Sequence, residues 1–206
     1  MMTAEERREY GVVARPLSIT METTMMNKAI DDLMHEHGAI FEALQVREAI
    51  AKRLDEGGAV EEGDISDILG FLKLFADHCH HGKEEGILFP ALARVGLSED
   101  EGSLRVLRSE HERGRELLRA MEAASFPKLD PARFSAAVHG YIELLEKHIR
   151  KENSMFFPMV RKLLTAHQFD EMSRAFDDFE NSVIGEGRHE ELHALLATLR
   201  ARYNIE

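Results

Sequence analysis

The sequence has little of what marks secreted, membrane-spanning or disulfide-stabilised proteins. Its 206 residues include no Trp, five Pro and a single Cys, Cys79. One Cys cannot form an intramolecular disulfide, which is typical of proteins in reducing compartments. Charges interrupt every apolar run before it reaches the length of a membrane span, and the first twenty residues contain no apolar signal-peptide core. We therefore expect a cytoplasmic protein without a membrane partner.

Positive charge is also scarce. The chain carries 26 Lys and Arg residues against 38 Asp and Glu residues, a formal net charge of −12 at pH 7. Because nucleic-acid backbones are negatively charged, a nucleic-acid partner is disfavoured. The unusual abundances are eleven His and ten Met residues. The positions of the His residues, described below, indicate a function.

The hydrophobic periodicity is helical almost throughout, with no useful strand-like alternation. It predicts long helices over about 24–55, 64–95, 98–124 and 130–164, then a helix from 165 and a last one over 188–202. Four long helices with short connections predict an all-α fold, an up-down-up-down four-helix bundle. We expect an N-terminal arm over 1–21, the bundle over 22–164, and a C-terminal helical extension over 165–206 packed on it. Three capping signals support the helix starts: Ser98 with Glu101, Asp130 before Pro131, and Thr165 with Gln168.

The middle of the chain repeats itself. Glu36-His37 in the first helix recurs 74 residues later as Glu110-His111, and His81-x-x-x-Glu85 recurs 67 residues later as His148-x-x-x-Glu152. The same offset of 67 relates the large apolar pairs Leu88-Phe89 and Met155-Phe156. We interpret this as two copies of a helix pair related by an approximate twofold axis.

The second helix offers two registers for a His and a Glu four residues apart, which share one helical face. The heptad row through His81 and Glu85 begins and ends in Leu, as an inner face does. The row through His80 and Glu84 contains Lys73 and is interpreted as facing solvent. Corresponding rows place a His or a His/Glu pair on the inner face of each of the other three long helices.

These inward polar side chains predict a metal site inside the bundle. Imidazole suits iron, zinc, copper or nickel, and a carboxylate can bridge two ions. Carboxylates buried without a cation would be costly. The predicted ligands of a two-metal site are His37, His81, Glu85, His111, His148 and Glu152.

This pattern, with His80-His81-Gly82-Lys83-Glu84-Glu85 followed by Leu88-Phe89-Pro90, resembles the hemerythrin-like HHE cation-binding family over about residues 28–160. The resemblance implies two irons joined by carboxylates and usually also by an oxo or hydroxo group, with zinc as a substitute. It implies that the four His residues are terminal ligands and that Glu85 and Glu152 are the bridges.

Two departures from the oxygen-carrying hemerythrins bear on the function. Those carriers have a His four residues after the ligand of the third helix, where this chain has Arg115. They end with His-x-x-x-x-Asp, where this chain has Asn153, with Glu152 one residue earlier. Fewer His ligands leave open metal positions, which favour reaction with or sensing of O2, NO or peroxide. The alternative is an oxidoreductase that detoxifies peroxide or NO.

His189-Glu190-x-x-His193 matches the zinc metalloprotease motif. Because only thirteen residues follow His193 to supply a third ligand, a zinc hydrolase is the weaker alternative. We instead expect His189 and His193 to support the metal ligands from outside. His78 and Tyr141, which lie on the inner rows of their helices, are predicted to have the same role.

Overall fold

A computed structural model of the chain describes residues 28–185 and 187–205, and within these ranges it contains six helices and no strand. The predicted all-α fold is confirmed, whereas the predicted arm over 1–21 lies outside the described residues. The six helices are α1 (Lys28–Asp55), α2 (62–94), α3 (Gly102–Ser125), α4 (131–163), α5 (Ala166–Val183) and α6 (Arg188–Arg202).

The two inner helices α2 and α4 are not α-helical along their whole length. In α2, α-helical segments Glu62–Phe71 and Phe89–Arg94 enclose two π-helical segments, Leu72–His81 and Glu84–Leu88. In α4, one π-helical segment, Glu152–Phe156, joins the α-helices Pro131–Lys151 and Phe157–Leu163.

The last two of these π-helical segments end directly before a Phe-Pro pair, at Pro90 and Pro158. A Pro inside a helix lacks an N–H and its ring clashes with the carbonyl of the fourth preceding residue. In a π-helix the hydrogen bonds span five residues, so the wider turn accommodates the ring without ending the helix.

Two of the three predicted helix caps are confirmed. The Asp130 side chain accepts a hydrogen bond from the Arg133 N–H at 3.1 Å, and Thr165 with Gln168 forms a reciprocal capping box. The prediction for α3 is wrong, because Glu101 is itself the N-cap residue and makes no side-chain cap.

Helices α1 to α4 form the bundle, in which α1 and α3 each pack between α2 and α4. Helix α5 lies against α1 and the π-helical part of α2, and α6 lies against α1 and the start of α2. None of the described helices is both long enough and apolar enough to cross a membrane.

The core of the bundle is divided into two apolar clusters. One contains residues 39–54 of α1 and 65–79 of α2, and the other contains 29–33 of α1 and 88–92 of α2. Helices α3 and α4 contribute to both clusters in the same way. A layer of buried polar side chains lies between the clusters, and this layer is the candidate site.

Candidate metal centre

The polar layer consists of seven side chains from the four bundle helices, none more than 3% exposed. They form three overlapping groups in which the potential ligand atoms lie within 4.8 Å of one another. The seven residues are His37, His80, His81, Glu84, His111, His148 and Glu152.

Four of the imidazoles form two pairs. The Nε2 atoms of His37 and His80 are 3.0 Å apart, and those of His111 and His148 are 3.2 Å apart. Two ligands that bind one ion at about 2.1 Å and about 90° to each other are about 3 Å apart. Each pair therefore has the spacing of two ligands on one ion. We call them the His37 half and the His111 half of the centre.

The two carboxylates face both halves. Glu152 Oε2 lies 3.2 Å from the Nε2 atoms of both His37 and His148, which belong to different halves. Glu84 Oε2 lies 3.3 Å from His111 Nε2, and its Oε1 lies 4.0 Å from His80 Nε2. Each carboxylate can therefore contact two ions at once.

Both carboxylates lack hydrogen-bond partners. All four oxygens of Glu84 and Glu152 are buried without a partner among the described residues, and both side chains are 0% exposed. A buried carboxylate without a partner costs several kcal/mol unless a cation compensates it. Imidazole nitrogens and shared carboxylates are a donor set that suits first-row transition metals. The residues present therefore fit a two-metal centre.

Hydrogen bonds from the outer ring nitrogens orient the four paired imidazoles. The Nδ1–H groups of His80 and His148 donate to Glu36 and Glu110, at 2.8 and 2.9 Å. The Nδ1–H of His37 donates to the Asn153 side-chain oxygen at 2.9 Å, and that of His111 donates to Glu85 at 2.6 Å. With the proton on Nδ1, the Nε2 lone pair of each ring faces the centre, as metal-bound His residues require.

The two halves repeat each other residue by residue. Glu36 and Glu110 correspond, and each also accepts a hydrogen bond from a lysine, Lys83 or Lys151, one residue before the central carboxylate. The twofold relation expected from the sequence thus extends to the residues that hold the ligands.

The relation breaks at two positions. Glu85, beside His111, corresponds to the neutral Asn153 beside His37. His81 corresponds to the apolar Ile149. The His81 ring stacks on that of His111, with centroids 3.9 Å apart, and lies edge-on to His148 at 5.6 Å. The His111 half therefore has an additional imidazole and a charged supporting residue.

Burial sets the protonation of most of these groups. It lowers the pKa of His37 and, further, those of His80 and His81, which keeps the rings neutral. Burial and the adjacent Glu84 charge raise the pKa of Glu152. Burial also acts to lower the pKa of His111, but its hydrogen bonds to Glu84 and Glu85 outweigh this effect and raise it to about 9.

The structure brings together five of the six predicted ligands and separates the sixth. Glu85 is 22% exposed and contacts the outer nitrogen of His111 and the Arg115 guanidinium, at 2.6 and 2.8 Å. Glu84 occupies the central position instead. The prediction that the row through His80 and Glu84 faces solvent is wrong, since these side chains are 1% and 0% exposed.

The physical reason is the π-helical geometry of α2. The heptad row assumes α-helical turns throughout, whereas each wide turn rotates the residues that follow it onto a different face. A sequence signal for the actual register exists. His80-x-x-Lys83-Glu84 before Phe89-Pro90 recurs exactly 68 residues later as His148-x-x-Lys151-Glu152 before Phe157-Pro158. The offset of 67 is therefore one residue too short.

The residues predicted to support the ligands lie in different environments. His78 is not on the inner face, because its side chain is 55% exposed. Tyr141 is buried in the larger apolar cluster, and its hydroxyl has no partner among the described residues. His189 and His193 lie on α6, where their rings pack against Phe75. Described contacts connect His189 to the centre only indirectly, through the Glu180 side chain on α5.

Comparisons with known proteins agree with this arrangement. The model of the hemerythrin HHE cation-binding domain matches residues 28–160. Because the match covers more than half of the chain, the protein belongs to the hemerythrin HHE cation-binding family. Uncharacterised proteins from Mycobacterium tuberculosis and Mycobacterium bovis are each 30% identical to it over 172 residues, which is 81% of this chain and 67% of theirs. No solved structure gives a significant match.

Proposed function

We propose that the protein is a non-haem di-iron protein that reacts with or senses O2, NO or peroxide. The main support is the pair of fully buried, unpartnered carboxylates, Glu84 and Glu152, which face imidazoles of both halves. In this proposal each imidazole pair holds one ion and both carboxylates join the two ions. Mixed nitrogen and oxygen donors suit iron, and zinc is a possible substitute.

The difference between the halves supports a division of roles. With His81, the His111 half offers three imidazoles, whereas the His37 half offers two. Fewer protein ligands leave more positions for a small molecule, so we assign small-ligand binding to the His37 half. Iron, when bound, supplies Lewis-acid and one-electron chemistry at these positions.

The chain's own residues control access and orientation. The Phe157 ring stacks on His37 with centroids 5.6 Å apart, and Phe89 stacks on His111 at 6.0 Å. These rings form an apolar wall on one side of the polar layer and exclude water from it. The hydrogen bonds at Nδ1 hold the imidazoles in place, so that a small ligand meets a preorganised site.

Metal analysis and visible spectroscopy of protein purified aerobically after expression with ample iron test the proposal. We expect about two irons per chain and ferric charge-transfer absorption that changes when azide, NO or peroxide is added. A protein that contains zinc alone, or no metal, under these conditions contradicts the proposal.

The open His37 half also supports a second candidate, an oxidoreductase that detoxifies peroxide or NO at the same centre. Binding and turnover are separated by measuring peroxide or NO consumption under excess reductant. Sustained consumption by the iron-loaded protein, absent from the metal-free protein, would identify an enzyme. A single stoichiometric reaction would identify a binding or sensing protein.

A further inference from the structure

A second group of metal-binding side chains lies on the outside of the bundle. His189 and His193 are four residues apart on α6, and their ring centroids are 4.6 Å apart. Glu180 on α5 places its Oε1 atom 3.9 Å from His189 Nε2. The His189 and Glu180 side chains are 33% and 31% exposed, so an ion can reach this group from solvent. We call these three residues the outer triad.

We propose that the outer triad binds one divalent transition-metal ion of the zinc or cobalt type, separately from the buried centre. Two His residues at this spacing project from the same helical face and can bind one ion. A carboxylate from the neighbouring helix completes an arrangement of two nitrogens and one oxygen, which such ions accept. Water can fill the remaining position.

The distances are compatible with this assignment. Ligands at about 2.0–2.1 Å from a tetrahedral ion lie about 3.3 Å apart. The His189–Glu180 distance of 3.9 Å therefore needs a contraction of about 0.6 Å, which is within the reach of a half-exposed carboxylate. Phe75 packs against both His rings, with centroid distances of 5.5 and 5.7 Å, and restricts their rotation.

The protonation of His193 also favours binding. Burial and the neighbouring His189 lower its pKa below the usual value. The ring is therefore neutral at pH 7 and has a lone pair for an ion. The zinc-hydrolase alternative has no comparable support, because Glu190, the residue that would act as the general base of that motif, is exposed to solvent.

The outer triad is connected to one half of the buried centre. Lys83 Nζ donates to Glu180 Oε2 at 3.0 Å and also to Glu36, whose other oxygen accepts the Nδ1–H of His80. Lys151, which corresponds to Lys83, contacts only Glu110 among the described residues and is 35% exposed, against 2% for Lys83. An ion at the outer triad would compete with Lys83 for Glu180 and affect only the His37 half.

Calorimetric titration of the untagged, iron-loaded full chain with Zn²⁺, and with Co²⁺ followed by absorption, tests the site. We expect one additional Zn²⁺ per chain and cobalt bands typical of four-coordinate nitrogen and oxygen ligands. His193→Ala and His189→Ala should each weaken this binding by at least about tenfold, as loss of one ligand implies. Iron content, measured in the same samples, should not change, which separates this site from the buried centre.

His167→Ala is the matched control. His167 also lies four residues from a Glu, with its Nδ1 atom 3.6 Å from Glu171, but it is 81% exposed and has no second imidazole. This variant should bind the additional Zn²⁺ as the unmodified chain does. The proposal is overturned if the unmodified chain binds no additional Zn²⁺, if both α6 variants bind it equally well, or if His167→Ala abolishes binding.

Discussion

Replacing Glu84 by Gln, with Glu85→Gln as the matched control, tests which of two adjacent carboxylates belongs to the buried centre. The exchange keeps the size of each side chain and removes its charge. Glu84 is 0% exposed and faces imidazoles of both halves. Glu85 lies outside the layer and contacts the outer nitrogen of His111. The two substitutions should therefore have very different effects.

The structure sets the expected magnitudes. Loss of the Glu84 charge removes a compensating partner from the buried ions, for which about 3–5 kcal/mol is typical. This corresponds to a decrease in metal affinity of roughly two to four orders of magnitude. Loss of the Glu85 charge weakens a residue that orients a ligand, which typically decreases affinity by about 10–100-fold. Glu84→Gln should thus retain at most one tightly bound iron per chain, and Glu85→Gln should retain both.

The assay combines iron quantification after dialysis against a chelator series with thermal unfolding. Each variant is melted with and without metal, and the difference in Tm is compared, so that general effects on stability cancel. We expect a large metal-dependent increase in Tm for Glu85→Gln and little for Glu84→Gln. If Glu84→Gln keeps both irons while Glu85→Gln loses them, Glu85 is the bridging ligand and the assignment from the structure is refuted.

Three further predictions concern residues away from the centre. Arg47→Met should raise the free energy of unfolding by about 1–4 kcal/mol in denaturant titrations, because Arg47 is fully buried without an acidic partner among the described residues and burial lowers its pKa to about 10. Since the folded-state pKa lies below the unfolded one, this gain should shrink as the pH rises through about 10, and a gain independent of pH would contradict the explanation. Cys79 is 2% exposed and burial raises its pKa to about 12, so at pH 8 a thiol reagent should modify it roughly a thousand times more slowly in the folded chain than in urea; equal rates would refute this. Gly82→Ala should destabilise the packing of α5, by about 1–3 kcal/mol, because a Cβ atom would lie 2.8 Å from the Phe179 ring. Gly86→Ala is the control, since no atom lies within 4 Å of its added Cβ, and equal unfolding midpoints for the two variants would contradict the prediction.

Most of the helical architecture could be predicted from the sequence because it depends on local signals. Asp130 before Pro131 and the Thr165–Gln168 capping box start helices where predicted, and the final helix has the predicted ends at Arg188 and Arg202. These signals act over a few residues, so the rest of the fold does not change them. The Ser98–Glu101 signal failed because the helix starts after Glu101, three residues later than a cap at Ser98 requires.

The candidate site was predicted less completely, for two physical reasons. Heptad rows describe α-helices, and the π-helical turns before Glu84 change the face on which the next residues lie. The contact of Lys83 with Glu180 depends on how α5 packs against α2, which local periodicity does not determine. By contrast, His37, His111 and His148 were placed correctly in the buried layer, because their helices are α-helical up to and through these positions.

The corrected register changes what the internal repeat implies about the centre. In the offset of 68, Glu84 corresponds to Glu152 and His80 to His148, so two bridging carboxylates and four terminal imidazoles are related by the twofold axis. A symmetric ancestor of this layer would treat its two ions alike. The chain departs from that symmetry only on the His111 side, where His81 adds an imidazole and Glu85 replaces the amide of Asn153. Both changes add electron donation to the same ion and stabilise its higher oxidation state. The His37 side, with fewer and weaker donors, is then the side at which a small molecule can bind and an electron can be exchanged.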